Sequence, residues 1–148
     1  MGFCLLDNVA LAARHAQVEL GIGRVAIVDW DVHHGNGTEE IFRGDDSVFF
    51  VSLHQWPFYP GSGGPGEGDE TTLNVPLPAG SGDDEYLEAF DAHIDDPLAG
   101  MRVTVDGFRE LASRSAELGP RVAAVLEGGY DPRTLPSLVA AALEGFSK

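Results

Sequence analysis

Asp29, Asp31 and His33 stand at alternate positions in the run Val28-Asp29-Trp30-Asp31-Val32-His33-His34-Gly35-Asn36-Gly37-Thr38. Residues two apart on an extended segment project to the same side, so the three should share one face. Carboxylate oxygens beside an imidazole nitrogen suit zinc, or a related divalent ion, in a catalytic site that keeps one position open. Thiolate ligation is excluded from that set, since the chain holds one cysteine, Cys4. The alternative reading of the same residues is a helix N-cap and a pair of solvated acids at a strand end.

Such a face needs elements to position it. Arg24-Val25-Ala26-Ile27-Val28 reads as a short buried strand leading into the acids, and ligands in open α/β sheets gather beyond the carboxyl ends of strands. Residues 8–19 have the apolar spacing of an amphipathic helix, with Gly21 and Gly23 as stop signals. A short helix is expected over 38–42, a second buried strand over 47–53, and a loop rich in Gly, Pro and aromatic residues over 55–70. Residues 72–76 read as a third strand, 85–90 and 103–118 as helices, 121–126 as a fourth apolar strand, and 135–146 as a C-terminal helix. The alternation gives one α/β domain over residues 1–148, with a mostly parallel sheet flanked by helices.

Five blocks in order carry a resemblance: Gly2 to Asn8, Asp29 to Thr38, Val51-Ser52-Leu53-His54, Asp91-Ala92-His93-Ile94-Asp95-Asp96-Pro97-Leu98-Ala99-Gly100, and Leu126-Glu127-Gly128-Gly129-Tyr130. The chain resembles the histone deacetylase and acetylpolyamine amidohydrolase family, and Asn36, Glu127 and the stretch 58–63 look more like its class II and bacterial members. The resemblance implies an arginase/deacetylase-like fold and hydrolysis of an acetyl amide on lysine or a polyamine. It implies zinc held by Asp31, His33 and Asp91, with Tyr130 donating the hydrogen bond that stabilises the oxyanion. Phe3, Phe58 and Tyr59 match walls of a substrate channel, with Gly128 and Gly129 beside them. A monovalent cation, K+ as a structural ion, is implied near Asp29, Asp31, His33, Ser52 and Leu53; His34 and His54 read as hydrogen-bonded structural histidines.

Two departures qualify the activity. The family's general-base histidine pair lies upstream of the Gly-Phe-Cys block, where this sequence has only Met1, so Asp29 and Asn36 stand as the residues that would orient that pair. The helical run Glu85 to Phe90 also passes straight into Asp91, where the resemblance calls for a buried strand; some tens of residues look deleted at 90–91. An incomplete sheet predicts exposed Val25, Ile27, Phe49 and Val51, and a marginal or aggregating fold. The alternatives are therefore a catalytically inactive remnant or acyl-lysine-binding module, and, from the Asp-Ala-His-x-Asp form of 91–95, an arginase-like two-manganese hydrolase.

Composition is compatible with that resemblance, though it does not itself point to it, and it argues against a nucleic-acid partner. Twenty-four acidic residues against nine Lys and Arg give a formal charge of −15, the wrong sign for a phosphate backbone. An acidic surface can attract cationic substrates such as lysine-rich tails or polyamines, though general acidity also serves solubility. With 43% hydrophobic residues the chain can build a core. A lone cysteine, and neither a leader nor a membrane-length apolar run in the sequence read, lead to the expectation of the cytoplasm.

Overall fold

The computed structural model describes residues 5–89, 104–126 and 133–147. The chain forms two compact units, residues 1–78 and 79–148.

The first unit opens with α1 (Asn8–Leu20), whose first turn is capped by the Asp7 carboxylate accepting the Ala10 N–H at 2.9 Å. Gly21 ends the helix in the left-handed conformation at φ 66°, the geometry glycine tolerates best. β1 (Val25–Asp29), α2 (Asn36–Phe42), β2 (Val48–Gln55) and β3 (Thr72–Leu77) follow. The three strands form one parallel sheet in the order β1-β2-β3. Val25 pairs with Val48, Ile27 with Phe50, Asp29 with Ser52, and Ser52 in turn with Asn74.

That register sorts the residues by face. One face runs from Val25, Ile27, Val48 and Phe50 at the amino ends of β1 and β2 to Asp29, Ser52 and His54 at their carboxyl ends, with Asn74 of β3 beside Ser52. Its apolar half packs with Ala10 and Ala13 of α1 and Phe42 of α2. The opposite face is apolar up to Gln55 at the end of β2, carrying Val51, Leu53, Leu73, Val75 and Leu77. Arg14 ties α1 to the turn before β2, reaching Asp45 at 2.5 Å while lying over the Phe42 ring.

In the second unit α3 (Asp83–Ala89), α4 (Val105–Glu117) and α5 (Leu135–Gly145) are helices. Thr104 caps α4 by accepting the Gly107 N–H, and its own N–H and hydroxyl donate to the two Asp83 oxygens at 2.8 and 2.7 Å. Gly145 lets α5 approach α4 closely, since a Cβ there would stand 2.2 Å from the Arg109 carbonyl. No helix among the described residues is long and apolar enough to cross a membrane.

Two expectations are corrected. Residues 121–126 are not a strand but unpaired, exposed chain. An apolar run becomes a strand only where a neighbour supplies its hydrogen bonds, and among the described residues none does. Nor are the apolar residues of β1 and β2 uniformly uncovered: Ile27 and Val51 are buried and Val25 is packed against the core, leaving Phe49 exposed. α1 and α2 shield the face that carries Val25 and Ile27.

Candidate functional site

β1 and β2 turn polar at their carboxyl ends, where Asn74 of β3 stands beside Ser52, on the face that helices α1 and α2 cover lower down. Side-chain hydrogen bonds there replace apolar packing, and two layers result, one exposed and one buried.

The exposed layer is the ligand segment. β1 stops at Asp29, and the chain then makes two successive turns in which a carboxylate accepts the N–H two residues on: Asp31 N–H to Asp29 Oδ1 at 3.0 Å and His33 N–H to Asp31 Oδ1 at 2.8 Å. The expectation of one extended face through Asp29, Asp31 and His33 is thereby corrected, because aspartate competes with strand geometry for its own neighbours' N–H groups. The turns still bring donors together. Asp31 Oδ1 and His33 Nδ1 lie 2.8 Å apart, with both side chains about half exposed at 54% and 45%. The Phe58 ring stacks on His33 at 5.4 Å between centroids, and Tyr59 meets it edge-on at 5.9 Å.

Beneath it, His34 and Glu39 are almost fully enclosed and 2.7 Å apart, Nε2 to Oε2. A carboxylate only accepts, so Nε2 carries the proton, and in the neutral ring Nδ1 accepts from the Ser62 hydroxyl at 2.8 Å. Glu39 also accepts from Asn74 Nδ2 at 3.0 Å and from Arg43 at 2.5 Å. Burial alone would raise the Glu39 pKa, but the hydrogen bonds from Asn74 and His34, with the charge of Arg43, outweigh it and hold the group below its usual range. His54 packs beside His34, ring centroids 4.7 Å apart. Its Nε2–H donates to the Gly63 carbonyl at 2.8 Å, so Nδ1 accepts from Ser52, whose oxygen in turn accepts the Gly35 N–H. Burial, with His34 nearby, pushes the His54 pKa down and keeps the ring neutral.

Close backbone approach depends on two glycines. A Cβ on Gly35 would fall 2.2 Å from Asp29 Oδ2, and one on Gly63, where φ is +79°, 2.6 Å from His54 Nε2. Gly63 N–H also donates to Glu67, and the Glu67 carbonyl accepts from Asn74, so the loop between β2 and β3 is tied at both points.

Of the residues singled out from sequence, the structure brings together Asp31, His33, Phe58 and Tyr59. Asn36 opens α2, its N–H donating to the His34 carbonyl, and Asp29 and Ser52 are register partners on one face. The Leu53 side chain lies on the opposite, apolar face, so only its main chain is available to a cation. Phe3, Asp91, Gly128, Gly129 and Tyr130 lie outside the described residues. No group of three or more His, Cys, Asp or Glu side chains suited to a metal occurs among the described residues, and the pair Asp31 and His33 is what they supply. Sequence reasoning missed Glu39, Ser62, Gly63, Glu67 and Asn74. The available signal was a polar residue at the inward register of an otherwise apolar strand, as with Asn74.

A parallel α/β sheet with a polar cluster beyond its strands' carboxyl ends defines a class of ligand-binding or catalytic domain. Comparison with known sequences defines the family. The family profile described as the histone deacetylase domain matches residues 1–91 and 90–146, and the chain belongs to that family. It is 44% identical over 178 positions to "Histone deacetylase 10, chloroplastic" of Oryza sativa subsp. japonica, covering 99% of this chain and 40% of that protein. The crystal structure of the HDA15 HD domain superposes with a TM-score of 0.84 at 36% identity, over 97% of this chain and 49% of that one. That of an acetylpolyamine aminohydrolase from Burkholderia pseudomallei gives 0.78 at 34%, over 99% and 51%. The chain thus spans about half the length of these relatives or less.

The comparison also bears on the join at 90–91. An alignment of 178 positions cannot be filled by 148 residues, so at least 30 positions of the rice protein stand against gaps in this chain. The two stretches matched by the family profile meet at residues 90–91.

Proposed function

We propose that this chain carries the ligand segment of a zinc-dependent deacetylase centre that hydrolyses the acetyl amide of lysine side chains or polyamines. The observation that supports it best is the Asp31–His33 pair, donors 2.8 Å apart beyond β1 and flanked by two aromatic rings. Carboxylate oxygen and imidazole nitrogen are zinc donors, and two donors on one tetrahedral zinc stand about 3.3 Å apart, so a small opening of this pair would admit the ion. Asp91 is the third matched ligand. When bound, zinc would act as a Lewis acid toward the acyl carbonyl and lower the pKa of water beside it.

The chain's own residues do the rest. Phe58 and Tyr59 present apolar surface beside His33 on which the alkyl stem of an acetyl-lysine or polyamine can lie, excluding water from the amide. Tyr130 donates a hydrogen bond to the acyl oxygen as negative charge develops there. Asp29 and Asn36 match the residues that, in the family, would orient the histidine pair expected upstream of Gly2. The acidic surface favours cationic substrates, in keeping with a relative named as an acetylpolyamine aminohydrolase.

A second reading follows from the join at 90–91: a module that binds acyl-lysine with little turnover, because Asp91 stands at the point where the match to the family breaks. Incubating the chain with an acetyl-lysine peptide and an acetylated polyamine, alongside Tyr130→Phe, separates the two. Release of acetate that falls about 100-fold in the variant supports the hydrolase; saturable, zinc-dependent binding without release supports the module. Release unchanged by the substitution would contradict the proposed role of Tyr130.

A further inference from the structure

The His34 ring is bonded at both nitrogens, to Glu39 of α2 and to Ser62 of the loop that carries Phe58 and Tyr59, and His34 directly follows the candidate ligand His33. We infer that Glu39 is a positioning residue for the metal ligands, acting through His34, and that the same ring sets the aromatic walls in register with them. The inference rests on the metal-binding reading above and goes beyond it.

A buried carboxylate needs a reason. Apolar replacements of buried charges are often neutral or stabilising, so stability alone does not account for Glu39 on a seven-residue helix. Its bonds account for it better. Oε2 receives both His34 and Asn74, Oε1 receives Arg43, and every other contact of the cluster leads to a piece of the site. Through His34 it fixes the main chain that the Asp31 carboxylate folds over at the His33 N–H. Through Ser62 it holds the loop of Phe58 and Tyr59, and through Asn74 the Glu67 carbonyl that anchors the far end of that loop. With His34 loose, Asp31 and His33 would keep their chemistry but lose their relative placement, and groups that orient ligands are typically worth 10-fold to 100-fold in metal affinity.

The test is cobalt binding to the chain, read as affinity and as the visible ligand-field spectrum, for wild type, Glu39→Gln, Ser62→Ala and Arg14→Gln. Arg14 pairs with Asp45 far from the ligand segment and serves as a control for lost stability. The inference predicts that Glu39→Gln weakens cobalt binding at least 10-fold and changes the spectrum, that Ser62→Ala does so more mildly, and that Arg14→Gln, with a comparably lowered melting temperature, does neither. Wild-type affinity and spectrum in a folded Glu39→Gln would overturn it. If Glu39→Gln does not fold, Ser62→Ala decides alone, an unchanged spectrum and affinity overturning the inference. A wild-type chain that binds no cobalt would instead overturn the metal-binding reading and this inference with it.

Discussion

His33 and His34 are adjacent in sequence and opposite in circumstance. The His33 ring is about half exposed, bonded to one exposed carboxylate and covered loosely by two aromatic rings. The His34 ring is enclosed, bonded at both nitrogens, and packed on a second buried histidine. Side chains one residue apart on a turn point apart, so one segment feeds an open layer that can exchange ligands and a closed layer that cannot. The closed layer should carry stability and the open layer chemistry.

The largest test of that division is His34→Ala, which empties the space of an enclosed ring and removes its bonds to Glu39 and Ser62, while Arg43 and Asn74 still hold Glu39. The expected loss is about 3–5 kcal/mol of unfolding free energy by denaturant titration, the usual cost of deleting a buried ring. A loss below about 1 kcal/mol would mean that the cluster is not closed as described. Next is Gly63→Ala, which combines a left-handed backbone with a Cβ overlapping His54 and His34. It should cost about 2–4 kcal/mol by the same measurement.

Acid should destabilise the closed layer. An unfolded histidine titrates near its ordinary value while His54 is held lower, so the unfolded state binds the extra proton first and stability falls as pH drops through about 6.5. Glu39 adds to this. Its depressed pKa contributes stability above its ordinary value, and that contribution is lost as pH falls below 4.5 and through the lowered value. Denaturation midpoints measured from pH 8 to 4 should therefore decline monotonically, and a flat profile would contradict the assignment. The smallest effect on stability is expected from His33→Ala: a change within about 0.5 kcal/mol, with metal binding abolished.

The same division explains what was legible in the sequence. Every strand and helix of the first unit is foreshadowed by apolar spacing or glycine punctuation, because α1, β1 and β2 follow local rules of periodicity and capping. Residues 121–126 were misread for the complementary reason: Arg121 to Leu126 has a strand's composition, yet pairing depends on a partner that local sequence does not show. At the site, block order and residue type located the exposed pair Asp31 and His33. The two aspartate turns that bring their donors together were hidden by the assumption of continuing extension. Glu39, Ser62 and Asn74 were invisible, being 12 to 35 residues apart and joined only by the parallel register of β2 with β3 and the fold of the intervening loop.

Zinc retained by the purified chain after dialysis, measured by metal analysis beside Asp31→Ala, tests the central claim most directly. About one zinc per chain, lost in the variant, is the predicted result. Zinc absent from the wild-type chain, or retained equally by both, would contradict the assignment of Asp31 and His33 as metal ligands.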